Sequence, residues 1–151
     1  MSKNIVIKKK IKPFNKLISV SGDKSISIRC VLLASQAIGE TKINNLLESE
    51  DVLNSLRTIK KLGIKFKKKD GYYIIYGLGI KSFNAQKKIT INAGNSGTLA
   101  RLILGLLVNN EKQVTLIGDK SLSKRDFKRV SVPLSKFGAK FKLNKNKNLP
   151  L

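Results

Sequence analysis

The sequence predicts a mixed α/β (α+β) fold, and three observations carry that expectation. Stretches whose apolar residues recur at helical spacing alternate along the chain with short β-branched or alternating runs. Glycines punctuate the junctions between them. The order also repeats: Leu62-Gly63-Ile64-Lys65-Phe66 and Phe137-Gly138-Ala139-Lys140-Phe141 occupy equivalent places, which sets an internal period of about 75 residues.

Taken in order, Ile5-Val6-Ile7 and Leu17-Ile18-Ser19-Val20 are short apolar runs, broken by Pro13 and Asn15, that read as strands. The polar turn Ser21-Gly22-Asp23 then opens an apolar helix over residues 25–38, stopped by Gly39, with a strand at 41–46. Glu48-Ser49-Glu50-Asp51 caps a second helix whose Val52, Leu53, Leu56, Ile59 and Leu62 share one face, and Gly63 ends it. Residues 64–66 and 72–76 form a hairpin across Asp70-Gly71, a dipeptide suited to a tight primed turn. Gly77 and Gly79 break the chain before Ile80. The second pass runs from a strand at 89–91 through the turn 92–96 into an apolar helix at 97–108. A strand at 114–117, a turn at 118–122, a helix at 125–137 and a strand at 139–143 complete it.

At 151 residues the chain has the length of about one domain, and 41% hydrophobic residues give it material for a core. No apolar run approaches the roughly 18 residues of a membrane span, and the first ten residues lack the apolar stretch of a signal peptide. A soluble cytoplasmic protein with no membrane association is expected. There is no histidine and a single cysteine, Cys30, so histidine-based metal sites and Ser-His or Cys-His catalysis are excluded within this chain. Lys plus Arg number 31 against 9 acidic residues, for a net charge of +22. Such a charge attracts nucleic acid, yet the lysines are scattered through every element without the interleaved aromatics that stack on bases. A solvated-surface bias is the preferred reading, and a specific nucleic-acid partner is not expected. The five arginines, at 29, 57, 101, 125 and 129, are the more informative cations.

Two stretches combine cations with a helix start. Lys24, Ser25 and Arg29 place a point charge, a hydroxyl and a planar fork where the first apolar helix begins, beside backbone N–H groups that stabilise anions. Asn95-Ser96-Gly97-Thr98 is a small-residue turn entering a helix, and Arg101 on the following turn is costly to bury without an anion. Asp23 reads as a capping residue, and Ser96 or Thr98 as a helix cap.

Gly22-Asp23-Lys24-Ser25-Ile26-Ser27-Ile28-Arg29, Ala93-Gly94-Asn95-Ser96-Gly97-Thr98-Leu99-Ala100-Arg101-Leu102 and Gly118-Asp119-Lys120-Ser121-Leu122-Ser123-Lys124-Arg125 occur in the order of 5-enolpyruvylshikimate-3-phosphate synthases. The chain resembles that family over most of its length. The resemblance implies repeated βαβαββ units arranged as two domains, with residues 1–20 opening the first and about two units, near 21–80 and 87–151, belonging to the second. It implies transfer of the enolpyruvyl group of phosphoenolpyruvate to the 5-hydroxyl of shikimate 3-phosphate in chorismate and aromatic amino acid biosynthesis, with neither metal nor organic cofactor. By resemblance Lys24, Ser25 and Arg29 contact shikimate 3-phosphate, while Lys24, Asn95, Gly97, Thr98, Arg101 and Arg125 serve phosphoenolpyruvate. Gly97 matches the glycine that leaves room for the inhibitor glyphosate.

The sequence departs from the family at Asp126, where proline is usual, at Ser21, also usually proline, and at Ile28, usually polar. No residue matches the family's proton-transferring carboxylate and lysine, so no catalytic residue is identifiable. The chain is expected to be a fragment that needs the remainder of the enzyme to form the cleft and has no appreciable synthase activity alone. Two alternatives are a relative of UDP-N-acetylglucosamine enolpyruvyl transferase, which typically carries Lys-Asn where Lys24-Ser25 stands, and a basic nucleic-acid-binding module.

Overall fold

The structure, a computed structural model, describes residues 5–6, 8–10, 12–83, 88–144 and 148–151. It is a mixed α/β arrangement of two sheets with helices packed against them. Helix α1 (Lys24–Gln36) buries Ile28, Val31 and Leu32 and is followed by strand β1 (Ile38–Asn44). Helix α2 (Glu50–Lys61) buries Val52, Leu56 and Ile59, the face its spacing dictates. Strands β2 (Lys65–Lys69) and β3 (Tyr72–Leu78) then turn across Asp70 and Gly71, both at positive φ, as a primed turn requires. The first sheet has the order β1-β3-β2 with both pairings antiparallel. Central β3 alternates strictly, burying Tyr73, Ile75 and Gly77.

The second sheet is a parallel pair, β4 (Ile89–Asn92) and β5 (Val114–Ile117), joined by helix α3 (Gly97–Leu106). After β5 come one 3₁₀ turn, Leu122–Lys124, and helix α4 (Lys128–Lys136). One continuous core spans both halves, from Ile28, Ile59 and Ile75 to Ile91, Leu99, Ile103, Leu116 and Phe127. The helices α2 and α4 end with the same two bonds: Gly63 N to Lys60 O and Ile64 N to Ile59 O in one, Gly138 N to Ser135 O and Ala139 N to Leu134 O in the other. Both glycines are left-handed, at φ 92° and 93°, which is the geometry of a Schellman cap.

Several sequence expectations are corrected. The run Leu17-Ile18-Ser19-Val20 forms no strand, and Ile5 and Val6 form none either; Ile7 lies outside the described residues. No described strand lies alongside these residues to satisfy their backbone groups, and Leu17 is fully exposed. The first helix ends two residues early, because Ile38 and Gly39 already pair with Leu78 and Gly77. The third ends at Leu106, short of 108. The fourth begins at Lys128: burial of Phe127 and the bond from Lys128 N to Asp126 Oδ1 set its start, and Arg125 is left extended at φ −78°, ψ 142°. The expected strand at 139–143 is absent. An open space of about 830 Å³ separates this segment from β5, whose Leu116 instead exchanges backbone bonds with Leu151.

Gly77 is where β3 crosses the end of α1, and a Cβ there would collide with the carbonyl oxygens of Ala34 and Ala37. Neither oxygen belongs to a flexible side chain, so Gly77→Ala is expected to destabilise the chain by about 1–3 kcal/mol or more. Gly105, exposed within α3 with nothing near its Cβ position, gives the opposite sign: Gly105→Ala should stabilise by about 0.5–1 kcal/mol. Urea denaturation of the two variants measures both, and a Gly77→Ala midpoint equal to wild type would contradict the packing described.

Candidate functional site

Parallel pairing of β4 with β5, in the register Asn92↔Ile117, sends the turns after both strands out of the same end of the sheet. In open parallel sheets this carboxyl end is where ligands bind. The two turns are tied together there. Ala93 N donates to Ile117 O at 2.9 Å, Asp119 N to Gly94 O at 2.8 Å, and Asn95 Nδ2 to Asp119 Oδ2 at 2.6 Å. The first turn enters α3 through Ser96, whose Oγ accepts from Leu99 N. The second is closed by Leu122 N donating to Asp119 Oδ1 at 2.7 Å and Arg125 N donating to Leu122 O.

This convergence brings together three of the residues singled out from the sequence. A Cβ on Gly97 would stand 2.6 Å from Arg125 Nη1 and 3.7 Å from Arg101 Nη1, so both guanidinium groups lean over the Gly97 backbone, and a side chain there would have to push the end of Arg125 aside. Arg101 is partly buried, and its Nε has no hydrogen-bond partner among the described residues. A buried guanidinium N–H without an acceptor is costly, and an oxygen acceptor, of which an anion is the strongest, would satisfy it. Asn95 is exposed and Thr98 half-buried at the same helix start.

The α1 end of the site is built differently. Asp23 caps the helix by accepting from Ile26 N at 2.7 Å. Lys24 Nζ pairs with Asp51 Oδ2, in the first turn of α2, at 2.8 Å. Ser25 is half-buried and Arg29 exposed; no described interaction joins either to Gly97, Arg101 or Arg125. Asn54, one turn along α2 from Asp51, packs its amide against Gly94, which links the two ends through α2.

Sequence alone assigns no site role to Asp119, Asp51 or Asn54, and it reads Asp51 only as part of a helix cap. Ser49 does hold the N-cap position of α2, but its side chain makes no cap bond. Asp126, which departs from the family pattern, caps α4 through Lys128 N and makes no described bond to Arg125.

The Asp119 carboxyl is held below its usual range, chiefly by the Leu122 N–H, then by the Asn95 amide, with smaller help from Ser121 N–H and the nearby charge of Arg125. A depressed carboxyl adds stability that is complete above its unfolded value, about pH 3.9, and is lost as pH falls through the lower folded value. The stability difference between wild type and Asp119→Asn is therefore expected to be constant above about pH 5 and to shrink below about pH 4. Denaturation midpoints across that range measure it, and a difference independent of pH would contradict the bonds described.

A family model for EPSP synthase (3-phosphoshikimate 1-carboxyvinyltransferase) matches residues 8–151. The 3-phosphoshikimate 1-carboxyvinyltransferase of Streptococcus pyogenes serotype M2 (strain MGAS10270) is 42% identical over 138 residues, 91% of this chain and 32% of that protein. The enzyme of the same name from serotype M49 (strain NZ131) is 41% identical over the same shares. Among solved structures, EPSP synthase from Acinetobacter baumannii superposes with a TM-score of 0.81 at 32% identity, covering 88% of this chain and 30% of that one. The chain thus spans about a third of the length of the relatives it matches. With three motifs in order, two turns converging on Gly97 and this match over nearly its whole length, the chain belongs to the EPSP synthase family.

Proposed function

We propose that the chain supplies part of the cleft of a 3-phosphoshikimate 1-carboxyvinyltransferase, the part that holds phosphoenolpyruvate and shikimate 3-phosphate. The observation that carries this reading is the convergence of Arg101 and Arg125 on Gly97 at the carboxyl ends of β4 and β5. Two planar cations over an open backbone suit a phosphate or carboxylate better than any neutral ligand. Lys24, Ser25 and Arg29 hold the second anionic substrate at the start of α1, and Lys24 exchanges part of its contact with Asp51 for that substrate. Asn95 and Thr98 complete the phosphoenolpyruvate side, and glyphosate occupies the space above Gly97.

In the reaction so proposed, the 5-hydroxyl of shikimate 3-phosphate gives its proton to a general base as its oxygen adds to C2 of phosphoenolpyruvate, while a general acid delivers a proton to C3. Loss of phosphate from C2 and of a proton from C3 then restores the double bond. The contribution of this chain is to orient both substrates and to stabilise charge on phosphate as it leaves, which rigid cations do without reorganisation. The proton-transferring groups come from outside residues 1–151. In this reading residues 21–80 and 87–151 are two βαβαββ units of one domain, residues 1–20 begin the other, and the protein works in the cytoplasm.

Three outcomes are expected. The purified chain alone gives no synthase turnover. Calorimetry detects shikimate 3-phosphate binding, and Lys24→Ala and Arg29→Ala each weaken it roughly 10- to 100-fold, the effect of losing one hydrogen bond to a charged group. Arg125→Ala weakens phosphoenolpyruvate to a similar degree and leaves shikimate 3-phosphate binding within about threefold. Binding of both substrates unchanged by all three substitutions would overturn the assignment.

A further inference from the structure

We propose that Asp119 is a positioning residue: its carboxylate clamps the turn carrying Asn95 and Gly97 to the turn carrying Arg125, and so holds the Arg125 guanidinium over Gly97. The geometry is that of a bridge. One carboxylate oxygen accepts from Asn95 Nδ2 at 2.6 Å, two residues before Gly97. The other accepts from Leu122 N at 2.7 Å and closes the 3₁₀ turn whose last bond, Arg125 N to Leu122 O at 3.0 Å, fixes where the Arg125 backbone leaves. The main chain of Asp119 adds two more ties: its N–H donates to Gly94 O, and its carbonyl accepts from Ser123 N. No other described side chain bonds to both turns.

A carboxylate does this with one group, since each oxygen accepts and neither needs to donate. Alanine in its place removes both acceptors, whereas asparagine keeps the Leu122 bond and regains the Asn95 link when the exposed Asn95 amide turns over to present its oxygen, so alanine is the substitution that releases both turns. The charged groups facing Asp119 are Arg125 from its own turn and Glu50, Arg57 and Lys61 of α2, which line the same cavity of about 470 Å³. Arg57 is committed to Glu50 and Asn54, and Lys61 donates to Thr90 O, so neither displaces Asn95 from the carboxylate.

The inference rests on the reading that Gly97, Arg101 and Arg125 hold an anion, but its first test needs no ligand. In the 151-residue chain, nuclear Overhauser effects between Gly97 Hα and the Arg125 guanidinium are expected in wild type, absent in Asp119→Ala and restored in Asp119→Glu, with the core resonances of Ile28, Ile75 and Leu116 unmoved. Asn95→Ala, which removes one partner and keeps the carboxylate, should weaken the same Overhauser effect, and it decides the matter should Asp119→Ala fail to fold. Titration with inorganic phosphate and phosphoenolpyruvate should then give at least tenfold weaker binding in Asp119→Ala and recovery to within about threefold of wild type in Asp119→Glu. Full Gly97–Arg125 proximity in Asp119→Ala, or in Asn95→Ala where Asp119→Ala does not fold, overturns the positioning role. Proximity abolished by Asp119→Ala and rescued by Asp119→Glu, in a chain whose wild type binds neither anion, upholds the positioning role and overturns the substrate reading instead.

Discussion

The site depends on one constraint, the parallel pairing of β4 with β5. An antiparallel pair would send its two outgoing turns to opposite ends of the sheet. A parallel pair sends both the same way, and α3 is the crossover that makes it possible. The main-chain bond from Asp119 to Gly94 then extends the join beyond the ladder, so the turns leave the sheet as one unit. The side chains of Arg101 and Arg125 both reach Gly97 from this joined pair of turns.

That closeness has an electrostatic cost. The two Nη1 atoms lie 2.6 and 3.7 Å from a common point, which bounds their separation at about 6 Å. At an effective dielectric of 20, two unit charges so placed repel by about 3 kcal/mol before screening. Asp119 beside Arg125 offsets part of this, but it is already shared between Asn95 and Leu122 and makes no described bond to Arg101. An arrangement that holds two guanidinium groups near one glycine and leaves one N–H unsatisfied is stabilised when an anion enters.

The sequence makes legible whatever local chemistry decides. The period of Val52, Leu56 and Ile59, the turn at Asp70-Gly71 and the caps at Gly63 and Gly138 depend on neighbours a few residues away, and each is readable. The strand expected at 139–143 fails because a strand is a relation between two segments, and Phe141 and Leu143 satisfy the pattern without having the partner. Local pattern puts Arg125 at the start of a helix; burial of Phe127, a tertiary event, moves that start to Lys128 and leaves the arginine extended, which is how it reaches Gly97. Asp119 stands inside a recognisable motif without a legible role, since its partner Asn95 is 24 residues away and only the register of β4 and β5 sets them side by side.

The excess of positive charge can be weighed in the same way. Lys42 lies over the ring of Tyr72 at 3.8 Å, Lys67 over Tyr76 and Lys68 over Tyr73, and Lys68 also pairs with Glu48. These lysines sit on the β1-β3-β2 sheet, with ammonium groups against aromatic faces and one carboxylate. Exposed interactions of this kind contribute little to stability and leave the charge facing water. Such a surface draws anions in by long-range attraction that salt screens, and selects none of them. Selection requires cations whose donors converge on one point, as those of Arg101 and Arg125 do over Gly97. A net charge of +22 therefore bears on long-range attraction, while directed donors converge where two arginines meet over a glycine.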